Sequence, residues 1–237
     1  MSVWRQERGV ALVVAAMAMM LLLAIGATLI VVTSSETAIA GNFRTGGEAL
    51  HAAAAVVERT IAELRDVSDW TLPLSGAMTG AATDGPISAA RHLSDGTVLD
   101  LSVLLNLANC GRRTPCTSTA MNLTTIARPW GVNNPRWRLF TYGWLDDLAG
   151  PPAQGSPFYV VAMVGDDGAE NDGEPEVDGG THGAVPNPGA RVLLVRGEAF
   201  GPRGAHRGVE AVIAAYRMDE LDPTSPQRLH VRAWQEF

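Results

Sequence analysis

Seven carboxylates fall within thirteen residues, from Asp166 to Asp178, with no basic residue among them. The run reads Asp-Asp-Gly-Ala-Glu-Asn-Asp-Gly-Glu-Pro-Glu-Val-Asp. Charges this dense raise the cost of ionising each successive neighbour. Asp172, Glu174, Glu176 and Asp178 alternate along the chain, so a looped backbone can turn them inward beside Asp166. Hard cations such as calcium take about six to eight oxygens from loops of this kind. The run is not an EF-hand, because Val177 stands where that loop, counted from Asp172, needs glycine. Two readings stay open: calcium held by Asp166, Asp172, Glu174, Glu176 and Asp178, or a solvated acidic loop held open by repulsion.

Cys110 and Cys116 are the only cysteines. In an oxidising compartment they can bridge the intervening Gly-Arg-Arg-Thr-Pro loop, with two free thiols as the alternative. A zinc site needs about four ligands and a redox pair needs Cys-x-x-Cys, and neither is present. The segment Arg128 to Arg138 is the densest mixture of aromatic and basic residues, with Trp130 and Trp137 inside it and Trp144 just beyond. Tryptophan and arginine anchor interfaces. The plainer expectation is that Trp137 starts a strand and packs inward while Pro129 and Pro135 fix the preceding turn. The five histidines (His51, His92, His182, His206 and His230) show no metalloprotease spacing. A nucleophile elbow, a phosphate loop and a dinucleotide fingerprint are all missing. The expectation is a protein that is not an enzyme.

These groups depend on elements that begin at the N-terminus. After Gly9 come 23 apolar or small residues, Val10 to Val32, and the next charge is Glu36. As a helix the run rises about 35 Å, enough to cross a hydrocarbon core of about 30 Å. Arg5 and Arg8 precede it, which orients the N-terminus to the cytoplasm and the remainder outward. A cleaved secretory signal ending at Ala38-Ile-Ala40 is the competing reading, but its apolar run would be about 7–15 residues. Beyond the run, Ile39, Phe43, Leu50, Val57, Ile61 and Leu64 recur at helical spacing and define an amphipathic half. Gly26, Gly41, Gly46 and Gly47 mark places where the helix could bend or melt.

Residues 68 to 96 read as loop. Strand patterns follow at Thr97–Leu105, Trp137–Tyr142, Phe158–Val164, Arg191–Ala199, Val209–Met218 and Leu229–Trp234. Strand after strand without a helical pattern between them implies an antiparallel sheet. The expected fold is α+β, one long N-terminal helix on an antiparallel sheet.

The segment Arg8-Gly-Val-Ala-Leu-Val-Val14, followed by Glu36-Thr-Ala-Ile-Ala-Gly-Asn-Phe-Arg44, resembles the N-terminal region of PilX-type minor pilins of type IV pili. The likeness covers about the first 65 residues, and Val231-Arg-Ala-Trp-Gln-Glu236 is similar to the last strand of such proteins. It implies a pilin-like fold in four parts. These are a leader (1–9), a transmembrane half-helix (10–35), an amphipathic half (36–67) and a β-sheet head (68–237). Gly9 would precede the cut by prepilin peptidase, and Val10 would become an N-methylated terminus. The protein would sit in the inner membrane as a single-pass protein. It would then enter a surface pilus, near the tip, help to prime assembly, and share in adhesion and motility. Its partners would be other minor and major pilins, met through the N-terminal helix, and a tip adhesin. Most pilins carry glutamate where Val14 stands, so the chain departs from the family there. That carboxylate is thought to meet a neighbour's terminal amine, and a subunit without it suits a tip position better than a repeating one. A type II secretion pseudopilin and an unprocessed membrane-tethered periplasmic binding domain are the alternatives.

The formal net charge is −7, and all 18 basic residues are arginine. An acidic balance argues against nucleic acid as a partner, which requires clustered cations.

Overall fold

The computed structural model describes residues 4–149, 155–170, 172–179, 189–217 and 227–237. The expected leader residues Met1 to Val3, together with His182 and Met218, lie outside them. Trp4–Leu64 form one α-helix, α1. The helix continues through Gly26, Gly41, Gly46 and Gly47, so it does not melt at any of them. A glycine in a helix costs about 1 kcal/mol, and the alanines and leucines around these four are strong helix formers. Hydroxyls inside the apolar stretch bond back onto the helix: Thr28 Oγ1 donates to the Ala24 carbonyl at 2.8 Å and Thr33 Oγ1 to that of Leu29 at 2.8 Å. Back-bonding of this kind lets polar side chains sit in apolar surroundings. At the other end the Leu64 carbonyl accepts from Val67 N–H at 3.2 Å and from the indole of Trp70 at 3.3 Å, which satisfies one of the helix's last acceptors.

The chain divides into two compact units, Met1–Arg44 and Thr45–Phe237. In the first, Val10 to Ala40 are exposed apart from Gly26. This helix is long and apolar enough to cross a membrane. In the second unit, α1 buries Ala49, Ala52, Ala53, Val56, Val57, Ile61 and Leu64. The expected stripe therefore begins later than Ile39 and Phe43, which are 68% and 85% exposed. Three of the seven buried residues are alanine, which lets the helix approach its partner closely.

That partner is a five-stranded antiparallel sheet. It comprises β3 (Arg138–Trp144), β4 (Tyr159–Asp166), β5 (Val192–Phe200), β6 (His206–Arg217) and β7 (Gln227–Glu236), ordered β3-β4-β5-β6-β7. Every residue of β4 is buried because both faces of the sheet are covered. Val160, Ala162 and Val164 join the α1 core, while Tyr159, Val161 and Met163 join a second cluster on the opposite face. Strands covered on both faces read as continuous apolar runs rather than alternating ones, and this one does.

The second cluster contains a correction. Thr97–Leu105 is expected to be a strand, but only Val98–Leu99 (β2) pairs, with Arg91–His92 (β1). Leu101–Cys110 is a helix, α3. Asp100 caps it, its carboxylate accepting from the N–H groups of Ser102 and Val103 at 2.8 and 3.1 Å. Leu101, Leu104, Leu105 and Ala108 then repeat at helical spacing toward Leu139, Tyr159 and Met163. Two further short helices, Ser118–Met121 (α4) and Leu145–Ala149 (α5), also interrupt the expected run of strands, while Thr71–Ser75 (α2) and β1 fall within the 68–96 stretch expected to be loop. The side chain of Asn109 at the end of α3 pairs with the backbone of Trp137 through bonds of 3.0 and 2.8 Å. Buried Arg91 ties the 84–91 loop to the sheet by donating to the Tyr159 hydroxyl at 3.2 Å and the Pro86 carbonyl at 2.8 Å.

Cys110 and Cys116 are joined by a disulfide just past α3. A closed loop this short restricts the unfolded chain by about 2 kcal/mol. Replacing both cysteines with serine should lower the unfolding midpoint by about 4–8 °C for a unit of this size. Thermal unfolding with and without reductant checks this, since reductant should move the wild-type protein and leave the double variant unchanged.

Candidate functional site

The acidic run begins at the last residue of β4. Asp166 is 3% exposed. Its position is fixed by Gly165, whose missing side chain leaves room for the Trp137 ring and for Pro135. The backbone then turns tightly: Glu170 N–H donates to the Asp167 carbonyl at 3.0 Å, and the Asp167 carboxylate accepts from Ala169 N–H at 3.2 Å. This turn points Glu170 back into the protein, where it is 1% exposed. A β-carbon on Gly189 would lie 2.5 Å from the Glu170 backbone nitrogen and 2.4 Å from its Cγ, so only glycine fits against it. Gly173, at φ +77°, allows the next reversal. There Asp172 accepts from Glu174 N–H at 2.9 Å.

The returning chain supplies donors. Gly179 N–H donates to both carboxylate oxygens of Glu170, at 3.0 and 3.1 Å. Arg191 N–H donates to Asp178 Oδ1 at 2.6 Å, with Arg191 itself at φ +62°. As a result one oxygen each from Asp166, Glu170 and Asp178 lie within 4.8 Å of one another. Two buried oxygens of the loop, Asp166 Oδ1 and Asp172 Oδ2, have no hydrogen-bond partner among the described residues.

The electrostatics follow from this crowding. Burial, then the charges of Glu170, Asp178 and Asp172, push the Asp166 carboxyl up to about 9. Burial, reinforced by Asp178 and Asp172 and opposed by the Gly179 N–H, pushes Glu170 up to about 7. Asp178 is raised by burial and by Asp69, against the pull of Arg191. Carboxylates gathered away from water without enough donors strongly disfavour their ionised form.

The expected ligand set is thus rearranged. Asp166 and Asp178 meet, and Asp172 adds its charge beside them. Glu176 faces outward and pairs with Arg138 at 2.6 Å. Glu174 lies with Glu176 along a groove shared with Arg136 and Met121. Glu170 takes the inward place instead. It lies outside the Asp172-to-Asp178 alternation, and only the turn at Asp167 and the close pass of Gly189 direct it inward.

The aromatic segment is a built turn. Asn134 is fully buried, donating to the Met121 and Leu123 carbonyls and accepting from Trp130 N–H at 3.0 Å. Trp137 is buried in the second core cluster. Trp144 meets Tyr159 edge to face with centroids 5.5 Å apart. Trp130 is half exposed, and its indole covers Gly168 at the start of the acidic loop. At the other end of the chain, Gly9 and Val10 lie on the exposed surface of α1, with open space around Gly9. In comparison with known proteins, the chain matches no family model, no curated protein and no solved structure.

Proposed function

We propose that this chain is a structural, membrane-anchored subunit of the PilX minor-pilin type, which inserts through α1 and carries the sheet as its head. The observation that supports this reading is the division of labour along α1. One uninterrupted helix is bare and apolar in its first half. In its last turns, beyond Thr45, it packs alanine and valine onto an antiparallel sheet. A helix used only to build a soluble core would bury its most apolar part, and this one leaves that part uncovered. Such a surface needs lipid or other helices around it. In the proposed role the membrane holds it first and neighbouring subunits replace the lipid afterwards. The valine at position 14 removes the charge that a repeating subunit would bring into that apolar packing, which favours a place near the tip.

Processing at Gly9 tests the reading. Intact-mass measurement should show loss of Met1 to Gly9 and one methyl group on Val10. Gly9→Val should block the cut, because a branched side chain would fill the open space beside the backbone that the peptidase must approach. A wild-type mass that retains Met1 would instead favour an unprocessed tethered domain.

A further inference from the structure

We propose that Asp166, Glu170 and Asp178 bind one divalent cation of the calcium type. Two observations lead there independently. The first is spacing. One oxygen of each residue lies within 4.8 Å of the others. Calcium holds its oxygens at about 2.3–2.6 Å, so two ligands of a single ion stand up to about 5 Å apart. The spacing of the three carboxylates is therefore compatible with their sharing one ion.

The second is an unanswered acceptor. The Asp166 side chain is 3% exposed and reaches Glu170 and Asp178, yet its Oδ1 has no hydrogen-bond partner among the described residues. A carboxylate oxygen removed from water and left unpaired is costly, and a bound cation is the partner that relieves it. Asp172, whose charge acts on both Asp166 and Glu170, lies beside the triad.

The chemistry of the set narrows the ion. Every donor is a carboxylate oxygen, which suits hard cations rather than zinc or copper. The backbone N–H groups of Gly179 and Arg191 hold the Glu170 and Asp178 carboxylates in place, as outer-shell groups commonly do around metals. Arg138 is committed to Glu176, and Arg191 is the cation whose charge acts on Asp178. Magnesium demands oxygens at about 2.0–2.1 Å in a strict octahedron and keeps its waters, so an all-carboxylate cluster on a loop suits it less well.

The bound ion would close the loop onto β4 and the start of β5, and so fix the surface that the loop presents beside Trp130. The test uses the full chain in detergent micelles, stripped with EGTA and titrated with calcium chloride. Calorimetry should give saturable binding of one ion. At about one hundred times the dissociation constant the unfolding midpoint should rise by about 5–10 °C over the EGTA sample, and magnesium should give a smaller rise. Asp166→Asn should abolish the calcium response and leave the EGTA midpoint at or above that of the wild type, since it removes a carboxyl crowded against Glu170 and Asp178. Glu170→Gln should abolish the response as well, which keeps the test decisive should the first variant fold poorly. Glu176→Gln, outside the triad, should keep the full response. Identical midpoints in calcium and EGTA with no heat of binding would overturn the site. Wild-type binding by both Asp166→Asn and Glu170→Gln would overturn the ligand assignment, and an equal response to magnesium would overturn the calcium-type selectivity.

Discussion

Replacing Gly197 with valine is expected to lower the unfolding midpoint by about 5–10 °C, more than any other single substitution considered at the helix–sheet contact. A β-carbon at this β5 position would stand 2.5 Å from Val57 Cγ2, 2.9 Å from Val56 Cγ1 and 2.7 Å from the Ala53 carbonyl oxygen. Side chains can shift, but the Ala53 carbonyl is backbone in the middle of α1, and moving it moves the helix. Overpacking a core of this density costs about 1–3 kcal/mol and sometimes more. For a unit of about 190 residues each kcal/mol is worth about 2–4 °C. Gly197→Ala should already show much of the loss, and Val57→Ala should restore only part of it because the carbonyl clash remains. Gly47→Ala is the control. It lies on exposed helix with open space around it and should stabilise by up to about 1 kcal/mol. Thermal unfolding of the wild type and the four variants measures this, and a Gly197→Val midpoint equal to wild type would mean that α1 does not pack on β5 as described.

The second large effect belongs to the first half of α1. Leu21→Arg places a charge at the centre of the Val10–Val32 run and should reduce membrane insertion about 100-fold, from a penalty of about 2.5–3.5 kcal/mol at a helix centre. Deleting residues 1–44 should move the remainder, Thr45–Phe237, wholly into the soluble fraction. Phe43→Arg, although it also replaces an exposed apolar residue, should leave insertion unchanged because it lies beyond the run. Carbonate extraction followed by immunoblotting reads all three. Retention of the Leu21→Arg protein at wild-type level in the membrane would argue that the run is not what anchors the chain.

Much of the architecture was legible in the residues because it depends on local composition. The Val10–Val32 run announces a bare apolar helix whatever follows it. The strands β3 to β7 are short β-branched or aromatic runs between glycines and prolines, and the observed elements overlap each expected one. The failures came where a short-range pattern had two solutions. Thr97–Leu105 is apolar enough for a strand, and Asp100 decides for helix only because Leu101 and Leu104 find a sheet face to cover. The amphipathic spacing extends further toward the N-terminus than the residues α1 buries, because helical spacing alone does not say which positions are covered. Ile39 and Phe43 keep the spacing and are exposed.

The acidic loop shows the same division. Sequence alone determined that seven carboxylates would be crowded between two strands with no base among them, since charge density is a property of the chain. Which of them turn inward was decided only by tertiary structure. Glu176 faces out because Arg138, 38 residues earlier on a neighbouring strand, offers it a partner. Glu170 faces in because Gly189, on the far side of the loop, leaves room for it and Gly179 supplies the N–H that holds it. Inward direction is a matter of long-range donors and free volume, and neither can be read from the spacing of the acids themselves.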